Sequence, residues 1–333
     1  MAAVSVRAHI LARAALALGI MLMAAWPAFG QSWPTGPVTM VVPFAAGSSS
    51  DIVGRIIAPR LSEFLGQHVI VENVGGAGGM TGANRVAKAA PDGYQFVLGT
   101  GGTHAANQAL HSKPLYNAGT DFAPVALVVE QTIILVARTS LPANNLPELA
   151  AFARANPGKM QYGSPGASSA PHLSCALLNT RLGIDATHVP YRGAPPAIQD
   201  LIAGRIDYAC FSGTAAIPHI ESHAVKALAI LTRDRSPSLP ALASAHEQGV
   251  TDFHASTWYG VFLPKSTPEP IVKKLHGAVI ATMDTPSVQK LLKQAGTDLV
   301  GPDRRSPDYL ARFVVSEIDR WAAVIKSVGL GVD

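Results

Sequence analysis

The chain has 333 residues, 48% of them hydrophobic and 14% charged, with a formal net charge of +4 at pH 7. That length is enough for two domains. So small a charge excess gives no electrostatic reason to bind nucleic acid or an anionic membrane surface.

The N-terminus reads as an export signal. Arg7 and Arg13 precede the apolar run AALALGIMLMAAW, and Ala28-Phe29-Gly30 places small residues ahead of a cleavage point after Gly30 or Ala28. The run is shorter than the ~20 apolar residues of a spanning helix. No cysteine follows it that a lipid could modify, so residues 31–333 are expected to be a soluble exported product. Cys175 and Cys210 are the two cysteines. Export permits a disulfide, while two buried thiols in apolar surroundings fit equally well.

Beyond the leader, strand and helix patterns alternate. Strands are expected at 38–44, 68–73, 94–100, 123–130, 132–138, 160–164, 186–191, 205–211, 225–232 and 258–264. Helices are expected at 51–65, 80–89, 103–111, 146–155, 169–182, 195–203, 268–282, 286–295 and 307–327. Such alternation predicts an α/β fold with mostly parallel sheets.

Two stretches repeat one design. VVPFAAGSSSDIVGR (41–55) and MQYGSPGASSAPHLSCALLN (160–179) each run from a strand through small residues with hydroxyls into a helix. A helix N-terminus leaves about four N–H groups unpaired and carries partial positive charge. With glycine nearby, it binds an anion without lysine or arginine. Gly47, Ser48, Ser49 and Ser50 in the first loop correspond to Ser164, Gly166, Ser168 and Ser169 in the second. Asp51 would repel an anion, so it is expected to cap the helix or to meet an ammonium group. The first loop lacks G-x-x-x-x-G-K-[ST], which disfavours a nucleoside triphosphate. Two such loops suit a molecule with two carboxylates, or with one carboxylate and another polar end.

Other motifs are weaker. VGGAGGMTGA (74–83) has glycines at the wrong spacing for a dinucleotide fingerprint and reads as a tight turn. Ser164 and His172 raise an exported serine hydrolase as an alternative. However, Pro165 removes the N–H that an oxyanion hole needs after the nucleophile. His172 itself either closes the loop or touches the ligand. His219 and His223 lack the H-E-x-x-H context of a metal site. Arg192 either pairs with a carboxylate or stands on the surface.

Taken together, these residues resemble the receptor family of tripartite tricarboxylate transporters, which includes the Bordetella uptake gene (Bug) products. The resemblance runs from about residue 33 to the end. It is carried by VPFAAGSSSD, GQHVIVENVGGAGG, VAKAAPDGY, DFAPVALV, ANPGKMQYGSPGASSAPHL, HVPYRGAPPAIQDLIAGRIDY and STWYGVFLP, in order. It implies a type II periplasmic-binding-protein fold with the ligand between two α/β domains, residues 31–131 with 254–333 and residues 132–253. It also implies a periplasmic receptor with no catalysis, cofactor or metal, which takes a small carboxylate to membrane subunits. Family ligands include di- and tricarboxylates, acidic amino acids and aromatic acids.

Carried over residue by residue, Gly47, Ser50 and Asp51 match the first gripping loop, and Ser164, Gly166, Ser169 and His172 match the second. Thr100 ends a third strand facing the cleft. Phe44, Ser48, Ser49, Ala167, Ser168 and Arg192 complete the expected ligand-binding set. Ala45, Ala46, Ser48 and Ser49 stand where the family favours proline and glycine, Ser168 where it favours glycine, and Val74 where arginine is frequent. These departures alter loop stiffness and donor placement, hence which acid fits. A monomer is expected, and a receptor that signals instead of transporting is the remaining alternative.

Overall fold

The computed structural model describes residues 33–251 and 253–328; the leader expected at residues 1–30 lies outside them. From Gly36 onward the described residues form one compact unit, which holds everything described below.

The chain opens with β1 (Val38–Val42), α1 (Ser49–Leu65), β2 (Val69–Asn73), α2 (Met80–Ala87) and β3 (Gln95–Thr100). β1 pairs in parallel with both β2 and β3. Its Val38, Met40, Val41 and Val42 are fully buried, as a strand covered on both faces requires. α1 starts at the N-cap Ser48 and stops at Gly66, whose φ of 71° suits a left-handed cap bonding the carbonyls of Ser62 and Glu63.

A π-type turn, Gly102–Ala106, then leads into α3 (Asn107–Leu110), where a single helix was expected. β4 (Phe122–Ala137) follows, then α4 (Leu146–Ala155), β5 (Met160–Ser164), α5 (Ala170–Leu182), β6 (Ala186–Pro190), α6 (Ala194–Ile202) and β7 (Tyr208–Ser212). Next come α7 (Gly213–Glu221) and β8 (Lys226–Ile230). The chain then returns through β9 (Ser256–Pro264), α8 (Glu269–Met283), α9 (Pro286–Gln294), β10 (Asp298–Leu299) and α10 (Pro307–Val328). α7 was not expected. Glycine at its start and Pro218 within it obscure the helical pattern.

The strand order is β2-β1-β3-β9-β4-β7-β5-β6, with β8 and β10 also on β4. The flanks, β2-β1-β3 and β7-β5-β6, are parallel because helices connect their strands. The middle ladders are antiparallel. Two strands were expected over 123–138; the structure has one, β4, of 16 residues. Its first part pairs with β9 as far as Thr132↔Ser256, and from Ile133 it pairs with β7.

Gln131 sits fully buried at the changeover. It accepts from the Tyr259 hydroxyl at 3.0 Å and donates to Thr214 Oγ1. A polar residue so satisfied continues the strand where sequence reading sees a break.

Cys175 on α5 and Cys210 on β7 form a disulfide, which decides between the two alternatives above. Among the described residues, no helix is long and apolar enough to cross a membrane.

Candidate functional site

The first loop leaves β1 at Val42 and turns into α1. Gly47, at φ +75°, donates its N–H to Asp51 Oδ2 at 2.8 Å. Ser48 Oγ accepts from the Asp51 N–H. The pair works like a capping box, one side chain reaching forward and the other back. Asp51 Oδ2 also takes Arg55 Nε at 3.0 Å, and its Oδ1 takes Asn73 Nδ2 at 2.9 Å. The same Asn73 nitrogen holds the Phe44 carbonyl. Burial pushes the Asp51 pKa up, but the bonds from Arg55, Gly47 and Asn73 together outweigh it and hold the carboxyl below its usual range. Asp51 therefore braces the loop and leaves Ser49 and Ser50 to face the cleft. Among the described residues, no acceptor is bonded to the N–H groups of Ser49 and Ser50.

The second loop leaves β5 at Ser164. Ser169 caps α5, its Oγ accepting from the His172 N–H and donating to the Gly166 carbonyl at 2.8 Å. Ser164 is fully buried, and its Oγ lies 2.7 Å from His188 Nε2. His172 Nδ1 accepts the Ser168 N–H, and the His172 ring stacks on His188 with centroids 3.8 Å apart. The structure thus pairs Ser164 with His188 rather than with His172.

Burial lowers the His172 pKa to about 4 and that of His104, which is fully enclosed, to about 3. For His188, burial and then the charge of His172 lower it to about 3. A neutral histidine in the fold whose unfolded form titrates near 6.5 stabilises fully above that pH. It loses the contribution as pH falls through 6.5 towards its folded value. Urea unfolding at pH 6.0 and 5.0 should therefore show a loss of up to about 1.4 kcal/mol for each buried histidine. A wild type equally stable at both pH values would contradict this. Replacing His172 with asparagine should make the slope shallower.

Between the loops lies a narrow cleft of ≈ 40 Å³. The first loop contributes Phe44, Ser48, Ser49 and Ser50, and the second contributes Pro165, Ser169, Ala170 and Pro171. Thr100 is held there by reciprocal bonds with Thr103: its N–H donates to Thr103 Oγ1 at 2.9 Å, and the Thr103 N–H donates to Thr100 Oγ1 at 3.2 Å. Ala194, Ser212, Thr257 and Tyr259 complete the wall.

The cleft thus receives the N-terminal residues of four helices, α1, α5, α6 and α7, together with eight hydroxyl side chains. None of its lining side chains is charged. Positive helix ends and neutral donors are the chemistry of a small anion site.

Of the expected residues, Phe44, Ser48, Ser49, Ser50, Thr100 and Ser169 line this cleft. Gly166, Ala167 and the exposed Arg192 line an adjoining slit with the 75–79 loop. Gly47, Asp51, Ser164, Ser168 and His172 line neither and hold the loops in shape. Sequence reading missed Ser212, Thr257 and Tyr259. The signal for Ser212 was present: Ser212-Gly213-Thr214 is a third turn from a strand through small residues into a helix.

The chain matches the profile of the Tripartite tricarboxylate transporter family receptor, TctC, over residues 53–330. It belongs to this family. The family is one of periplasmic solute-binding receptors, not enzymes. Protein BugT of Bordetella pertussis is 33% identical over 304 residues, covering 91% of this chain and 92% of BugT. MatC of Rhodopseudomonas palustris, solved with bound malate, superposes with a TM-score of 0.85 at 40% identity, over 88% of this chain and 100% of MatC. Rpa4515 of R. palustris, solved with adipate, gives 0.86 at 36% identity, over 90% of this chain and 99% of Rpa4515. The chain is thus a TctC receptor related to the Bug proteins.

Proposed function

We propose that this receptor is exported, loses its leader near Gly30, and captures a small acid with two polar ends in the periplasm as a monomer. It then delivers that acid to membrane subunits of a tripartite tricarboxylate transporter. The observation that carries the reading is the uncharged cleft on which four helix N-termini converge. One carboxylate sits on the α1 end with Ser49 and Ser50, and the other end sits at Ser169 on α5. Residues 31–131 with 254–333 and residues 132–253 act as two lobes. They hinge where β4 passes from β9 to β7, at Thr132 and Ile133. Malate and adipate, the acids in MatC and Rpa4515, set the size range to try first.

A thermal-shift screen of mono-, di- and tricarboxylates tests this. A ligand at a hundred times its Kd adds about 2.7 kcal/mol. Diacids should stabilise and matched monoacids should not. Silence from every carboxylate, including on refolded protein freed of carried-over ligand, sinks the reading. The Ser169 hydroxyl already donates to the Gly166 carbonyl and caps the His172 N–H, so Ser169→Ala removes a helix cap, a loss of about 0.5–2 kcal/mol. Binding should weaken by up to roughly 30-fold through the loop that the cap holds. Ser164→Ala, outside the cleft wall, should change affinity less.

A further inference from the structure

The two sides of the cleft meet along a seam in which glycine recurs. A Cβ at Gly47 would lie 3.3 Å from Pro195, one at Gly193 would lie 3.3 Å from Ala45, and one at Gly102 would lie 3.4 Å from Ser169 and Ala170. Gly78 is the extreme case. Its Cβ would fall 2.4 Å from the Ala167 carbonyl oxygen and 3.3 Å from Ser168 Cβ. Real Cβ atoms essentially never approach so closely, and the obstacle is backbone, which no rotamer change removes.

Neither side has room to retreat. Behind Gly78, the buried Asn107 donates Nδ2 to the Gly78 carbonyl. At the next residue, Gly79, a Cβ would already strike Thr103 and Phe44. On the other side, Ser164 Oγ, Ser169 Oγ and the Ser169 N–H all converge on the Gly166 carbonyl and fix the turn that carries Ala167.

We propose that Gly78 sets how far the cleft can close, so that the VGGAGG segment serves as the bare rim against which the second loop seats. It is a positioning residue: it does not line the cleft, yet a methyl group there holds Ser169 away from Ser49 and Ser50. This inference rests on the carboxylate-capture reading for its ligand and on geometry alone for its closure.

The test compares Gly78→Ala with Gly66→Ala. Both positions are left-handed, at φ +62° and +71°, so both variants carry the strain of alanine in that region. A Cβ at Gly66 meets nothing within 4 Å, so that variant carries strain alone. Spin labels at the exposed Lys88 and Arg181 report the separation of the two sides by pulsed electron resonance, with and without malate or adipate.

Wild type and Gly66→Ala should share the short, closed separation of this structure, while Gly78→Ala should lose it and bind acid at least ten-fold more weakly than Gly66→Ala. Identical distance distributions for the two variants overturn the proposal. So does a wild type that never samples the closed separation under any condition. If no acid binds wild type, the capture reading fails, and the ligand-free distances still decide the role of Gly78. Matching melting curves for the two ligand-free variants confirm that both are folded.

Discussion

Replacing Asp51 by alanine should loosen the whole first loop and lower stability by about 2–4 kcal/mol. Its carboxylate gathers Gly47 N–H, Arg55 Nε and Asn73 Nδ2, and the Asn73 nitrogen in turn holds the Phe44 carbonyl. Asp51 is buried, and a hydrogen bond to a charged group contributes about 1.5–3 kcal/mol; the Gly47 and Arg55 donors are exposed and Asn73 is half-buried, so water replaces part of what is lost. The ion pair with Arg55, whose side chain is 55% exposed, adds little. The loop would then present Ser49 and Ser50 less rigidly, so acid binding should weaken as well.

The effect should depend on pH in a defined direction. The folded carboxyl titrates below its ordinary value of 3.8, so its stabilisation is complete above that pH and is lost as pH falls through the lower folded value. Denaturant unfolding should show a wide gap between wild type and Asp51→Ala at pH 7 that narrows in strong acid. A gap below about 1 kcal/mol at pH 7 would mean that the brace is dispensable.

The second large effect should come from the disulfide. Cys175 and Cys210 are 35 residues apart and fully buried. Closing a loop of that length restricts the unfolded chain by about 3–4 kcal/mol on the chain-entropy account. Replacing both cysteines by alanine should lower the melting temperature by on the order of 10 °C. The bridge also has a place in the site. It joins α5, whose start lines the cleft, to β7, whose last residue Ser212 meets Ser49 Oγ at 2.5 Å. The double variant should therefore bind acid more weakly even where it remains folded. If it melts within about 2 °C of wild type, the bridge adds little to stability, and the cleft wall owes its rigidity to packing.

Strand-to-helix turns can be read from sequence because they rest on local chemistry. Ser48 and Ser169 take the extended backbone of an N-cap and bond the first helical turn with their own side chains. Gly66 and Gly183 end α1 and α5 in the left-handed conformation that glycine adopts freely. The same local logic pointed to Asp51 as a cap.

Other features depend on residues far apart in the chain. Gln131 looked like a break between strands until Tyr259 and Thr214 supplied its partners from 128 and 83 residues away. Ser164 looked like a cleft residue, but its hydroxyl turns inward to His188 and Gly166.

From its sequence alone, this chain declares its α/β alternation, two hydroxyl-bearing loops at helix starts and its family. Each of these is written in short-range patterns of polarity, glycine and capping residues. Tertiary structure alone decided that Cys175 pairs with Cys210, that Ser212, Thr257 and Tyr259 join the cleft wall, and that Gly78 sits bare against Ala167. Those outcomes follow from the packing of the two sides against one another, which sets distances between residues that no local propensity relates.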